Sequence, residues 1–202
     1  MAGAELRTDC VYGMDLELTC WDGPTPEGEA REIISIGMAE LRLADGQLSR
    51  RETWLVRPPR LTPGLSVSAF CTALTGLDAA TLQSRGRPLR EVLSTVRKSW
   101  APARRLTVCW GDDAPVLAEH AARHSGESPF GPSLDLAQLL HVLHGGTRRR
   151  SLEAALAAHG ITPEQPAHDA GVDAANTLRL FAVALPRGAP RPSDPIRPSE
   201  RP

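Results

Sequence analysis

Period-two alternation of apolar and polar positions marks three early segments as strands. They are residues 11–19, "EIISIGMAEL" from Glu32, and "ETWLVRP" from Glu52. Short connections make them an antiparallel meander. The link "DGPTPEGEAR", rich in Gly, Pro and charge, reads as an exposed loop. After Pro58 the pattern changes. In "LREVLSTVRKSW", Leu89, Val92, Leu93, Val96 and Trp100 recur at helical spacing, and "RLTVCW" is a short, almost wholly apolar strand of the kind found at a buried sheet centre. The helical "APVLAEHAARH" follows, then a short strand "SLDL" leading into "AQLLHVLH", then the helix "SLEAALAAHG", stopped by Gly160. A last helix runs from about Asp169 to Leu185 on an apolar stripe of Ala174, Leu178, Phe181 and Leu185. Strands followed by alternating strand and helix give an α/β domain over residues 1–185. Residues 186–202, "PRGAPRPSDPIRPSERP", are too rich in Pro and too poor in apolar residues to pack, and are expected to form a disordered tail.

A chain of 202 residues with 41% hydrophobic content suits one well-buried domain. The formal net charge of -1 gives no global pull toward nucleic acid or membrane, so any such contact must come from a local patch. No apolar run approaches the roughly 20 residues that span a bilayer, and "MAGAELRTDC" lacks a signal-peptide core, so a cytoplasmic protein is expected. A monomer is the expected state. Cys10, Cys20, Cys71 and Cys109 are scattered without a C-x-x-C pair, which points to reduced, mostly buried thiols.

The first strand raises a chemical question. In "VYGMDLELTCWDG", Asp15 and Glu17 share one face, about 6.6 Å apart along the strand, with Leu16 and Leu18 on the other. Two like charges that close are either incidental surface charge or half of a cation site. Further acids arrive at two plausible places. In "CWGDDAPVL" the chain turns at Gly111 after the buried strand and leaves Asp112 and Asp113 at its carboxyl end, where open α/β sheets place their sites, although either can simply cap the next helix. In "PAHDAGVDAANTL", His168 precedes the last helix and Asp173 sits about one turn inside it.

D-x-E on an early strand, Asp after a later strand, and H-x-x-x-x-D entering a terminal helix together resemble the DEDDh branch of the DnaQ-like 3′-5′ exonucleases. The flanks "DLELTCW", "EIISIG", "LSVSAFCTALTGL" and "HDAGVDAANTL" are similar to the subgroup of KapD and the enhancer-of-RNAi and histone-mRNA exonucleases. The resemblance covers residues 11 to about 182. It implies an RNase H-like mixed five-stranded sheet flanked by helices, three strands antiparallel and two parallel. It implies a two-metal-ion enzyme acting on the 3′ end of single-stranded RNA or DNA. Asp15, Glu17, Asp113 and Asp173 would be metal ligands and His168 the general base. The chemistry agrees: Mg²⁺ and Mn²⁺ prefer oxygen ligands, two such ions stabilise attacking and leaving oxygens, and an imidazole with a pKa near ~6.5 accepts a proton at neutral pH. A non-catalytic regulatory protein of KapD type that retains the fold is the alternative. An endonuclease of the wider RNase H-like group fits the H-x-x-x-x-D pairing less well.

The same resemblance implies substrate contacts at Thr19, Trp21, Phe70 and Thr75, with Thr19 near the terminal sugar and the two aromatics stacking on a base. Two positions depart from the subgroup. The segment between Trp110 and Val116 is one residue short: aligning Val116 and Leu117 selects Asp113, counting from Trp110 reaches Ala114, and Asp112 is the fallback. Asp169 stands where relatives carry Arg, and a carboxylate beside His168 would favour its protonated form and repel phosphate. The run Arg148 to Arg150 could meet a phosphate backbone, although a solvated loop is the preferred reading. His120 and His124, i and i+4 on a helix, have a zinc-binding spacing, but the sequence shows neither a third ligand nor H-E-x-x-H.

Overall fold

The computed structural model describes residues 5–59, 67–124, 126–145 and 150–184. The meander forms as β1 (Cys10–Leu18), β2 (Ile33–Arg42) and β3 (Leu48–Leu55). After it come α1 (Ala69–Thr75), α2 (Ala79–Arg85), α3 (Leu89–Trp100), β4 (Thr107–Cys109), α4 (Asp113–His124), β5 (Ser133–Asp135), α5 (Leu136–His144), α6 (Leu152–Ala158) and α7 (Ala170–Ala184). The sheet has the order β3-β2-β1-β4-β5, antiparallel from β3 to β1 and parallel from β1 to β5, as expected. The expected tail and Leu185 lie outside the described residues.

Alternation along β1 sends its side chains into two cores. Cys10, Tyr12, Met14 and Leu16 pack with Val92, Leu93, Val96 and Trp100 of α3 and with Leu117 and Ala121 of α4. Val11 meets Leu136 and Leu140 of α5, Leu156 of α6, and Ala174, Leu178 and Phe181 of α7. The five α3 residues picked out by periodicity are all buried.

Three features differ from the sequence reading. β3 starts at Leu48 rather than Glu52, because the hairpin pairs Leu41 with Leu48 while Ser49, Arg50 and Arg51 on this edge strand show no apolar alternation. Helices α1 and α2 were not expected: two turns hold too few apolar positions to show a period, and their signals are the caps, Ser68 accepting from the Cys71 N–H and Asp78 from the Thr81 N–H. Thr19 lies beyond the end of β1, past an irregularity at Glu17/Leu18, so it does not continue the Asp15–Glu17 strand face.

Two glycines set how closely α7 sits on the sheet. A Cβ on Gly37 would lie 1.9 Å from the Ala170 carbonyl carbon, and one on Gly13 would lie 2.4 Å from the Ala174 carbonyl oxygen. Gly37 pairs with Asp15 across the β1–β2 ladder, so the bare position brings the first turn of α7 down beside Asp15.

Candidate active site

Parallel pairing of β1 with β4, Gly13 beside Val108, aligns the carboxyl ends of the two strands. The turn that follows β4 therefore lies beside Asp15 and Glu17. Gly111 makes that turn at φ 109°, a conformation open to glycine, and its N–H donates to Asp135 Oδ1 at 3.1 Å. The same Asp135 oxygen caps α5 by accepting from the Gln138 N–H. The turn delivers Asp113 as the first residue of α4, half-buried, while Asp112 is exposed. Asp113 Oδ2 is buried and, among the described residues, has no hydrogen-bond partner. Of the two acids, Asp113 is the one whose charge bears on both Asp15 and Glu17.

The fourth acid comes from the first turn of α7. Asp15, Glu17, Asp173 and His168 line one cleft of about 370 Å³, together with Trp110, Leu156 and Asn176. One ligand atom each from Glu17, His168 and Asp173 lie within 4.8 Å of one another. His168 is exposed, with Nδ1 4.0 Å from Glu17 Oε1. Its backbone is in the left-handed region at φ 60°, and its N–H donates to Asp173 Oδ2 at 2.9 Å. This bond gives H-x-x-x-x-D a structural meaning: the acid inside the helix fixes the residue before it.

The acids hold one another's protons. Burial first, then the charges of Asp113, Glu17, Asp173 and Asp169, raise Asp15 well above the ordinary carboxylate range. Burial, then Asp173 and Asp113, push Glu17 up to about 8. Burial, then Asp112 and Asp135, push Asp113 up to about 7, against the pull of Arg31. Asp173 is raised by burial, opposed by the His168 N–H and imidazole. Asp113 and Asp173 both sit in the first turn of a helix, where the helix dipole favours negative charge.

Asp169 is placed differently from the expectation that it faces His168. Its Oδ1 accepts from the N–H groups of Gly171, at 2.9 Å, and Val172, at 3.1 Å, and from the Thr53 hydroxyl at 3.2 Å. It caps α7, and its charge reaches Asp15 and Glu17.

The expected substrate residues are less united. The Thr19 hydroxyl closes the 20–31 loop, donating to the Ala30 carbonyl and accepting from the Glu32 N–H. The Thr75 hydroxyl donates to the Cys71 carbonyl and accepts from the Leu77 N–H at the end of α1. Phe70 is exposed on α1, whose Cys71 thiol donates to the Leu18 carbonyl at the end of β1. Trp21 is half-buried in the loop after Thr19. Of the basic run, Arg148 and Arg149 lie outside the described residues, and Arg150 lines a separate small cavity with His141, His144 and His159. Asn176 was missed: buried one turn after Asp173, its amide exchanges hydrogen bonds with the Glu164 backbone, 3.0 Å from the N–H and 3.1 Å to the carbonyl, and ties the loop before His168 to α7. Its signal was the i+3 spacing from Asp173.

This fold is that of the DEDDh 3′-5′ exonucleases. The nuclease domain of 3′hExo, a DEDDh family member bound to rAMP, superimposes with a TM-score of 0.75 at 19% identity, over 89% of this chain and 92% of that one. A 3′-exonuclease solved in recognition of the histone mRNA stem-loop gives 0.72 at 18% identity, over 87% and 80%. E. coli Exonuclease I in complex with a dA16 oligonucleotide gives 0.65 at 13% identity, over 87% of this chain and 40% of that one. In sequence, the chain is 34% identical over 87 residues to the 3′-5′ exonuclease Snipper of Drosophila melanogaster, which covers 41% of this chain and 28% of the relative's length. No family model matches. Among the described residues no helix is long and apolar enough to cross a membrane.

Proposed function

We propose that residues 1–185 form a metal-dependent 3′-5′ exonuclease that shortens single-stranded RNA or DNA from its 3′ end and releases nucleoside monophosphates. The observation that carries this reading is the convergence of Asp15, Glu17, Asp113 and Asp173 at one end of the sheet with His168 at the rim.

The residues fit a pair of divalent cations. The carboxylates repel one another, and Asp113 Oδ2 is a buried oxygen that has no partner among the described residues. Two Mg²⁺ or Mn²⁺ ions held by these acids would supply positive charge to the attacking and leaving oxygens. His168, exposed at the rim, takes the proton of the attacking water. As the new P–O bond forms, the P–O3′ bond breaks, and O3′ leaves with a proton taken from solvent to become a hydroxyl while His168 returns its own proton to solvent. Asp173 and Asn176 hold the His168 loop to α7, and Trp110 forms part of the cleft wall. Phe70, exposed on α1, and Trp21 offer faces for the terminal bases.

The test is incubation of the full chain with single-stranded RNA and DNA, labelled at the 5′ end, with and without Mg²⁺ or Mn²⁺. The expected result is a ladder shortening by one nucleotide at a time, absent in chelator and absent in Asp15→Asn. Inertness toward both substrates with both metals would leave the regulatory reading.

A further inference from the structure

The i, i+4 histidine pair on α4 acquires in three dimensions the partner that the sequence did not show. Glu32, next to the start of β2, places Oε2 3.7 Å from His120 Nδ1 and 3.9 Å from His124 Nε2, and one ligand atom of each residue lies within 4.8 Å of the others. Glu32 and His120 are buried. A charge-assisted hydrogen bond would bring nitrogen and oxygen to about 2.7–2.9 Å. Here the three groups converge without reaching that distance. Among the described residues no hydrogen bond reaches any of these side chains. Ligand atoms around a tetrahedral Zn²⁺, with bonds of about 2.0–2.1 Å, stand roughly 3.3 Å apart, so small side-chain adjustments close the set.

We propose that Glu32, His120 and His124 form a site for one Zn²⁺, separate from the acidic cleft. Two imidazoles and one carboxylate suit a borderline cation rather than Mg²⁺, which prefers oxygen alone. His124 is partly exposed and borders a surface groove of about 300 Å³ beside Arg57, Gln83 and Leu89, which gives the ion an entry path and leaves a fourth position for water. The ion acts as a clamp. Glu32 is paired through its backbone to Thr19, two residues beyond Glu17, by the Thr19 N–H donating to the Glu32 carbonyl at 2.8 Å. The other two ligands lie on the helix whose first residue is Asp113. Tying Glu32 to α4 therefore fixes the strand end that carries Glu17 against the helix that carries Asp113. This site stands whether or not the acidic cleft is catalytic.

Co²⁺ is the probe, added to the chelator-treated full chain with excess Mg²⁺ present. Visible d–d bands of four- or five-coordinate Co²⁺ should saturate at one equivalent, be displaced by Zn²⁺, persist in Asp15→Asn and vanish in His124→Ala. Zn²⁺ at a hundredfold excess over its Kd should raise the wild-type Tm by about 5–10 °C and leave His124→Ala unmoved. Should His124→Ala fold poorly without metal, His124→Gln serves in its place with the same expectation. No bands, bands that survive loss of His124, or bands that disappear in Asp15→Asn would overturn the proposal, the last by placing the ion in the acidic cleft.

Discussion

The backbone N–H of His168 donates to Oδ2 of Asp173 at 2.9 Å, while His168 Nδ1 stands 4.0 Å from Glu17 Oε1. One acid thus holds the backbone of the proposed base in a left-handed conformation at φ 60°. That conformation is uncommon outside glycine, though asparagine, aspartate and histidine adopt it more readily than other residues. His168→Asn should keep the loop and remove the base: kcat should fall about 10²–10⁴-fold with Tm unchanged. Asp173→Asn should remove a proposed metal ligand and abolish turnover. Near-normal kcat in His168→Asn would take His168 out of the chemistry.

Metal-free protein should lose stability as pH rises. Glu17, ordinarily near 4.5, titrates in the fold at about 8, and Asp113, ordinarily near 3.8, at about 7. Between these limits the folded chain binds more protons than the unfolded one, so unfolding free energy falls with rising pH. The penalty is absent below the unfolded values and complete above about 8. Melting curves in chelator should therefore shift down between about pH 5 and 8. Mg²⁺ should flatten the dependence by neutralising the acids. A Tm in chelator that rises across this window would contradict the shifts.

Gly37→Ala tests the seat of α7. The new methyl would sit 1.9 Å from the Ala170 carbonyl carbon and 2.2 Å from the Gly171 nitrogen, both backbone. Neither can rotate away, so the first turn of α7 must lift from β2. A loss of about 1–3 kcal/mol or more is expected. Because Asp173 and His168 move with that turn, activity should fall even below the melting transition. Wild-type Tm and rate in this variant would show that the helix has room.

Asp169 separates a cap from a charge. Asn also caps helices well, so Asp169→Asn should hold Tm near wild type, whereas Asp169→Ala should cost about 1 kcal/mol. Asp169→Arg, the residue of the resembling sequences, removes the same bonds to Gly171 and Val172. It should melt lower even if it binds nucleic acid more tightly at low salt. Equal melting temperatures for the Ala and Asn variants would deny the capping role.

Period and punctuation were enough to read the order of the five strands and of helices α3 to α7, since apolar faces must be buried wherever the chain goes. The motif D-x-E, the acids after the fourth strand and H-x-x-x-x-D were equally legible, because each is local. Short elements were not: α1 and α2 carry caps but too few turns to show a stripe, and β3 begins in polar edge residues. What only the tertiary structure decided are relations between segments far apart in the chain. That Asp113 is half-buried while Asp112 is exposed depends on which way a glycine turn, held by Asp135, points after β4. The role of Gly37 depends on a helix 133 residues later, and that of Glu32 on two histidines about 90 residues later. A sequence records side-chain chemistry and local period, whereas a site is a set of distances. Those distances come from the parallel β1–β4 pairing and the close seat of α7 on two bare glycines.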